Sequence, residues 1–259
     1  MKKIYYLCGL PRSGNTLFGA LLNQNPKIQV TANSIVLDII WNLENLKNDR
    51  TFLNFPDEKS FDSVINNVIS NYYNEWDYKI ILDRSCWGSP NNLKLLEKHS
   101  PNELKFVLLV RDIEEVVASF IKWSEENKPN FLDNETDGSL DEKCAYLMEP
   151  DMQIVQEYCS IYNIMKSNYP YYLIEYDELV SNTKNVLDGL YEFLDIDQYD
   201  HILSNMKQFL ANEMCYDDSV VGKNLHTINT QDVKKRQYDI SKYISGDLLN
   251  YYSTLNFWK

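Results

Sequence analysis

At 259 residues, 44% hydrophobic and 24% charged, the chain has material for one α/β domain with a sizeable core, expected to span 1–259. Its formal net charge of −13 excludes a generic nucleic-acid or anionic-membrane partner, since binding polyanions needs a basic face. Five cysteines, odd in number and without a CxxC pair, exclude a disulfide framework and a zinc site and fit a reducing cytosol.

Met1-Lys2-Lys3 opens like a signal peptide, but the apolar run ends at Leu10 before Pro11-Arg12, too short for an h-region. No stretch approaches the roughly 18 apolar residues of a membrane span. The expectation is a soluble cytoplasmic protein.

Ile4–Cys8 is a short apolar run closed by Gly9, the pattern of a buried strand. Leu17, Phe18, Leu21 and Leu22 then recur at helical spacing from Asn15 to Gln24, and Asn25-Pro26 stops them. Residues 35–47 and 61–73 read as helices, and Lys79–Leu82 as a second strand. Leu104–Val110 is the clearest strand, its Phe-Val-Leu-Leu-Val run suited to burial on both faces. A helix is expected from Ile113 to Ser124. The polar stretch 127–150, centred on Asp133-Asn134-Glu135-Thr136-Asp137-Gly138-Ser139, reads as a mobile surface loop or lid. Met152–Lys166 is helical, Tyr171–Glu175 a strand and Asn182–Leu194 helical, and the tail from Tyr199 is expected to be mostly helix around an irregular stretch at 212–230. Strands alternating with helices imply a parallel β-sheet flanked by helices on both faces, with right-handed crossovers.

The chemistry concentrates in Gly9-Leu10-Pro11-Arg12-Ser13-Gly14-Asn15-Thr16. This is the frame of a phosphate-binding P-loop, GxxxxGK[ST], with Asn15 in place of the lysine. Placed after a strand and opening a helix, such a loop wraps a phosphate in backbone N–H groups at the positive end of the helix dipole. The lost lysine would have reached the terminal phosphates of a nucleoside triphosphate beside Mg²⁺. Here the cation has moved inside the loop, to Arg12.

On these residues the chain resembles the sulfotransferases, most nearly the tyrosylprotein-type and related bacterial members. The resemblance implies a P-loop nucleotide-hydrolase-like fold and binding of 3′-phosphoadenosine 5′-phosphosulfate (PAPS; product PAP) without a metal. Arg12, Ser13, Gly14, Asn15 and Thr16 would hold the 5′-phosphosulfate. Val110-Arg111-Asp112-Ile113-Glu114-Glu115-Val116-Val117-Ala118-Ser119 matches the family's arginine and serine eight residues apart; Arg111 and Ser119 would bind the 3′-phosphate. Ile113 stands where the family has proline. Leu173–Val180 is similar to the family's "YEDL" strand end, where Tyr176 matches a cofactor-contacting tyrosine. Ile81-Leu82-Asp83-Arg84-Ser85 matches the place of a lysine after a strand. There Arg84 would hold the transferring sulfonate or bridging oxygen, or else pair with Asp83 at the surface. The stretch Val221–Thr227 resembles the late loop over the cofactor, with Lys223, Lys234, Lys235 and Arg236 as its cations.

The family's bases are missing. The glutamate about 20 residues after the loop arginine falls on Asn33, and the histidine of small-molecule relatives on Cys86. Asp83, His226 and Asp38 remain as candidates; His99 reads as the end of a helix and His201 as part of a charged surface helix. The expected activity is sulfonate transfer to a hydroxyl or amine of a carbohydrate, small alcohol or protein side chain. The alternatives are a catalytically weakened PAPS- or PAP-binding protein, motivated by the missing bases, and a P-loop kinase, which Asn15 disfavours.

Overall fold

The computed structural model describes residues 2–136, 138–235 and 237–259. Asp137 of the expected lid and Arg236 of the late cations lie outside the described residues.

In chain order the elements are β1 (Lys3–Gly9), α1 (Asn15–Leu22), β2 (Ile28–Asn33), α2 (Val36–Leu46), α3 (Arg50–Asn54), α4 (Glu58–Asn66), α5 (Val68–Tyr72), β3 (Ile80–Arg84) and α6 (Pro90–His99). Then come β4 (Phe106–Val110), α7 (Ile113–Glu126), α8 (Phe131–Glu135), α9 (Leu140–Leu147), α10 (Gln153–Lys166), β5 (Tyr171–Glu175), α11 (Tyr176–Ser181), α12 (Thr183–Leu194) and α13 (Gly246–Ser253). The strands form one parallel sheet in the order β2-β3-β1-β4-β5. This is the single α/β domain that the alternation of strands and helices implies.

Because side chains alternate along a strand, β1 feeds two cores. Ile4, Tyr6 and Cys8 pack into a large cluster with α2, α7 and α10, while Tyr5 and Leu7 meet α1 and α12 on the other face. Both faces are covered, so β3 and β4 are buried at every position.

Three expectations are corrected. The stretch 127–150 is not a plain loop: α8 and α9 bury Leu132, Cys144 and Leu147. Lys143, also buried, pairs with Glu125 and Asp133 at 3.0 Å each and ties both helices to α7. The tail is not mostly helical. Among the described residues from 199 onward, α13 is its only α-helix, with two 3₁₀ turns at Asp218–Val220 and Ile240–Lys242. Accordingly His201 sits in irregular chain, with Nε2 3.1 Å from the Tyr191 hydroxyl. Strand β2 was not anticipated. His99 does end a helix, as expected.

Candidate functional site

In a parallel sheet all C-terminal strand ends open on one side, and ligands bind in the crevice there. A cavity of about 760 Å³ lies at that edge, walled on the late side by residues 224–229, Asp232, Lys234, Gln237 and Tyr238. Arg12, Gly14, Asn15, Thr16, Arg84, Arg111, Ser119, Tyr176 and His226 all line it. Residues far apart in sequence are thus brought together.

The loop after β1 is shaped by two left-handed residues, Arg12 (φ 62°) and Gly14 (φ 85°). A side chain at Gly14 would be strained by that φ and would put a Cβ 2.9 Å from the Tyr176 ring. Asn15 takes up a new task where a lysine would reach outward. Its Nδ2 donates to the Leu10 carbonyl at 2.7 Å, bracing the turn from within. Its Oδ1 would lie 2.0 Å from a Cβ on Gly9, so that glycine answers to Asn15. Ser13 is buried and its hydroxyl donates to the Leu10 carbonyl at 2.5 Å, so its side chain builds the loop. Helix α1 begins at Asn15, with Gly14 as its cap, and aims its N-terminus into the cavity.

Arg12 and Arg111 converge at α7. Arg12 Nε donates to Ser119 Oγ at 3.1 Å and Nη1 to the Leu225 carbonyl at 2.7 Å. Arg111 Nη1 donates to the Arg12 carbonyl at 3.0 Å, its Nε pairs with Glu115 at 2.9 Å, and its guanidinium lies 4.4 Å from the Tyr176 ring centroid. Arg12 therefore sits beside Ser119 and the late segment, on the Arg111 side of the cavity. Arg84, at the end of β3, is only 5% exposed. Its Nη1 lies 3.4 Å from the Tyr216 hydroxyl, and its buried Nε has no hydrogen-bond partner. A buried guanidinium N–H without a partner carries a desolvation cost.

An anionic nucleotide fits this arrangement: a glycine turn on a helix N-terminus and three arginines along one cavity. Lys223 does not share it directly; the side chain is exposed, and its carbonyl accepts from Trp123 Nε1 at 2.6 Å. Of the other late cations, Lys234 lines the cavity and pairs with Asp232, while Lys235 bridges Glu115 and Asp177.

The candidate bases separate. Asp38 is exposed on α2, outside the cavity lining. Asp83 is fully buried behind it, with Oδ2 accepting from Tyr73 at 2.6 Å and from Ser34 at 3.3 Å. Asn33 does line the cavity, next to Arg84 in the β2–β3 register. His226 lines it as well, with Nδ1 2.5 Å from Asp218 Oδ1 and its ring stacked on Tyr216 at 3.6 Å. Sequence reasoning missed Asp218, Tyr216 and Glu157. Glu157 had a readable signal: it occupies a place in the apolar stripe Ile154, Glu157, Ile161, Ile164 of α10.

Among known proteins, the model of a family described as the sulfotransferase family matches residues 6–201. No curated protein matches the chain. Of solved structures, the sulfotransferase domain from the curacin biosynthetic pathway is 16% identical, with a TM-score of 0.51 over 90% of this chain and 84% of that one. The sulfotransferase domain of the Synechococcus PCC 7002 olefin synthase is 18% identical, with a TM-score of 0.49 over 77% and 74%. A mouse sulfotransferase complexed with PAP is 12% identical, with a TM-score of 0.48 over 77% and 59%.

Two buried carboxyls lie near the end of β3: Asp83, which precedes Arg84, and Glu157, which feels the Arg84 charge. Burial pushes Asp83 up to about 6, against the hydrogen bonds from Tyr73 and Ser34. Burial likewise pushes Glu157 up to about 7, opposed by the Arg84 charge and a hydrogen bond from the Gly9 backbone. In the unfolded chain both lose their protons near the ordinary carboxyl value of about 4. Across that window the folded chain holds protons the unfolded chain has lost, so the two groups make stability fall as pH rises from about 4 to about 7. Glu157→Gln keeps the shape without the charge. It is expected to raise the melting temperature at about pH 8 and leave it unchanged at about pH 4; thermal melts across that range with the same slope as wild type would contradict this.

Proposed function

The chain belongs to the sulfotransferase family, and on that premise we propose that it transfers a sulfonate group from PAPS to a hydroxyl or amine acceptor without a divalent metal. The observation that carries this reading is the convergence of Arg12, Arg84 and Arg111 on one cavity in a chain of net charge −13. When bound, PAPS supplies an activated sulfonate on a good phosphate leaving group.

The residues divide the work. The turn from Gly9 to Thr16 offers backbone N–H groups and the α1 dipole to the 5′-phosphate end. Arg111 and Ser119, joined by Arg12, offer charge-assisted donors to the 3′-phosphate. Glu115 and the Tyr176 ring hold the Arg111 fork in place. Arg84, which lines the cavity at the end of β3, supplies positive charge where negative charge grows on the oxygen leaving sulfur. With arginines and backbone donors in these positions, the reading assigns no role to Mg²⁺. The acceptor is a carbohydrate, a small alcohol or a protein side chain.

The direct test mixes the protein with PAPS and a panel of alcohol, phenol, sugar and peptide acceptors in EDTA and follows PAP. Acceptor-dependent PAP release that survives EDTA is expected. Turnover of ATP that needs Mg²⁺, or PAP bound tightly with no transfer to any acceptor, would overturn the proposal.

Arg111→Ala is expected to weaken PAPS binding by about 2–4 kcal/mol, the scale of a partly buried charge-assisted contact. It should also erode the preference for PAPS over adenosine 5′-phosphosulfate, which lacks the 3′-phosphate. Calorimetry with both nucleotides checks this, and undiminished discrimination would remove Arg111 from the 3′-phosphate site.

Arg84→Ala is expected to lower kcat by about 10²–10³, the loss typical of a preorganised transition-state donor, with PAPS affinity far less changed. Arg84→Lys should restore part of the rate. Steady-state kinetics beside equilibrium binding separate the two effects; lost PAPS binding with normal turnover at saturation would make Arg84 a cofactor anchor instead.

A further inference from the structure

Resting on the sulfonate-transfer reading, we propose that His226, oriented by Asp218, is the general base that takes the acceptor's proton. Asn33 has no basic atom to offer, and the Cys86 thiol is pushed up by burial and by the nearby Glu157. Asp83 is sealed behind the cavity by Tyr73 and Ser34. His226 alone among the candidates combines a titratable nitrogen with a place on the cavity wall that also carries Arg84.

The geometry is that of an oriented imidazole. Asp218 grips His226 twice, Oδ1 facing ring Nδ1 at 2.5 Å and Oδ2 accepting from the backbone N–H at 3.0 Å. A carboxylate can only accept, so Nδ1 carries the proton and Nε2 is left with its lone pair. Nε2 bonds to none of the described residues. The ring lies flat on Tyr216, centroids 3.6 Å apart and planes within 7°. That stacking fixes the ring's remaining freedom, and the Tyr216 hydroxyl in turn lies 3.4 Å from Arg84 Nη1. Nucleophile activation and leaving-group stabilisation are therefore mechanically joined through one tyrosine.

The charged groups around the imidazole are Asp218, Arg84 and Arg12. Burial holds its pKa below the usual histidine value, Asp218 raises it, and the two arginines lower it again. The ring is thus a free base at neutral pH, ready to accept. In the step itself, the acceptor O–H proton passes to Nε2 as the acceptor oxygen bonds to sulfur. The bond from sulfur to the phosphate oxygen breaks, and its electron pair stays on the phosphate. The imidazolium is stabilised by Asp218 and releases its proton to solvent after the product leaves. No oxidant, reductant or metal is needed for this balance.

The test begins with ¹⁵N NMR of the histidine side chains, which needs no acceptor. Wild type is expected to carry the His226 proton on Nδ1 and to titrate below an ordinary histidine. In Asp218→Asn the titration should move lower still, because a group that raised the pKa has lost its charge. PAP release from PAPS is then followed with an aliphatic alcohol and with 4-nitrophenol, which ionises unaided near neutral pH. His226→Gln should cut the rate by about 10²–10³ with the alcohol, within the usual range for general-base catalysis, and much less with the phenol, while PAP affinity by calorimetry is unchanged. Asp218→Asn should lower the plateau rate and shift the acid limb of the pH profile downward, which a loop-fixing role would not do. A proton on Nε2 in wild type, or equal turnover by His226→Gln, overturns the dyad. Failure of wild type to bind PAP overturns the sulfonate-transfer reading instead, and the NMR result still decides the tautomer.

Discussion

The parallel pairing of β1 with β3 on one side and β4 on the other is the constraint from which the site follows. Parallel strands in register end together, with Leu7 opposite Arg84 and Gly9 opposite Leu109. Each of these three ends delivers one arginine: Arg12 in the turn after β1, Arg84 as the last residue of β3, and Arg111 directly after β4. An acidic protein thereby gathers three guanidinium groups at the edge of its most buried layer, where the sheet and its covering helices exclude water and field lines concentrate. No basic surface is required. The same three charges scattered over the exterior would be screened within about 8–10 Å and would hold no polyanion.

That concentration has a cost, and the buried acids around it show how the fold meets it. Glu115 satisfies Arg111 directly, and Lys235 closes the network to Asp177. Arg84 is treated differently. Its neighbours Asp83 and Glu157 are both fully buried carboxyls whose charged forms are disfavoured, and neither hydrogen-bonds to it. Glu157 Oε2, Asp83 Oδ1 and Arg84 Nε have no hydrogen-bond partner among the described residues. A guanidinium committed to a strong internal ion pair would have little left for a ligand, whereas Arg84 makes no ion pair with the described residues. Local dissatisfaction of this kind belongs to functional sites rather than to structural cores.

The parts legible in the sequence were those fixed by short-range rules. The turn from Gly9 to Thr16, the strand at 106–110 and the helices after them have periodicity or positive-φ requirements that a single sequence displays. Arg111 directly follows β4 and Ser119 lies within α7, and their eight-residue spacing is legible through the family resemblance. Strand β2 escaped because it hides polar side chains inside. Gln29 donates to the Leu210 carbonyl at 3.2 Å and Thr31 Oγ1 accepts from the Arg84 N–H at 2.9 Å, so its pattern imitates a loop. The segment 127–150 misled for a related reason: its anchor is Lys143, a lysine held inside by two carboxylates. The irregular stretch 212–230 is legible, and its residues 224–229 line the cavity, but the described tail around it is not mostly helix, because its order comes from contacts to distant residues, such as the Met206 N–H to the Thr230 carbonyl and Trp123 to the Lys223 carbonyl. Long-range pairs of that sort leave no local signature, and so Asp218 could not be joined to His226 on paper.

The late segment also settles how the site's two halves are related. Trp123 of α7 donates to the Lys223 carbonyl, and a Cβ on Gly222 would lie 2.6 Å from that indole, so the chain passes as close to α7 as a glycine permits. Two residues on, Arg12 donates to the Leu225 carbonyl while touching Ser119 with its other edge. The next residue is His226, turned toward Asp218 and Tyr216. One guanidinium from the phosphate loop thus spans the Ser119 wall and the backbone that carries the imidazole. The Leu225 carbonyl belongs to the peptide bond that joins Leu225 to His226, so an anion that draws Arg12 away breaks a hydrogen bond beside His226. The hydrogen bond from Arg12 to the Leu225 carbonyl thus links the loop after β1 to the irregular chain that carries the imidazole along the cavity wall.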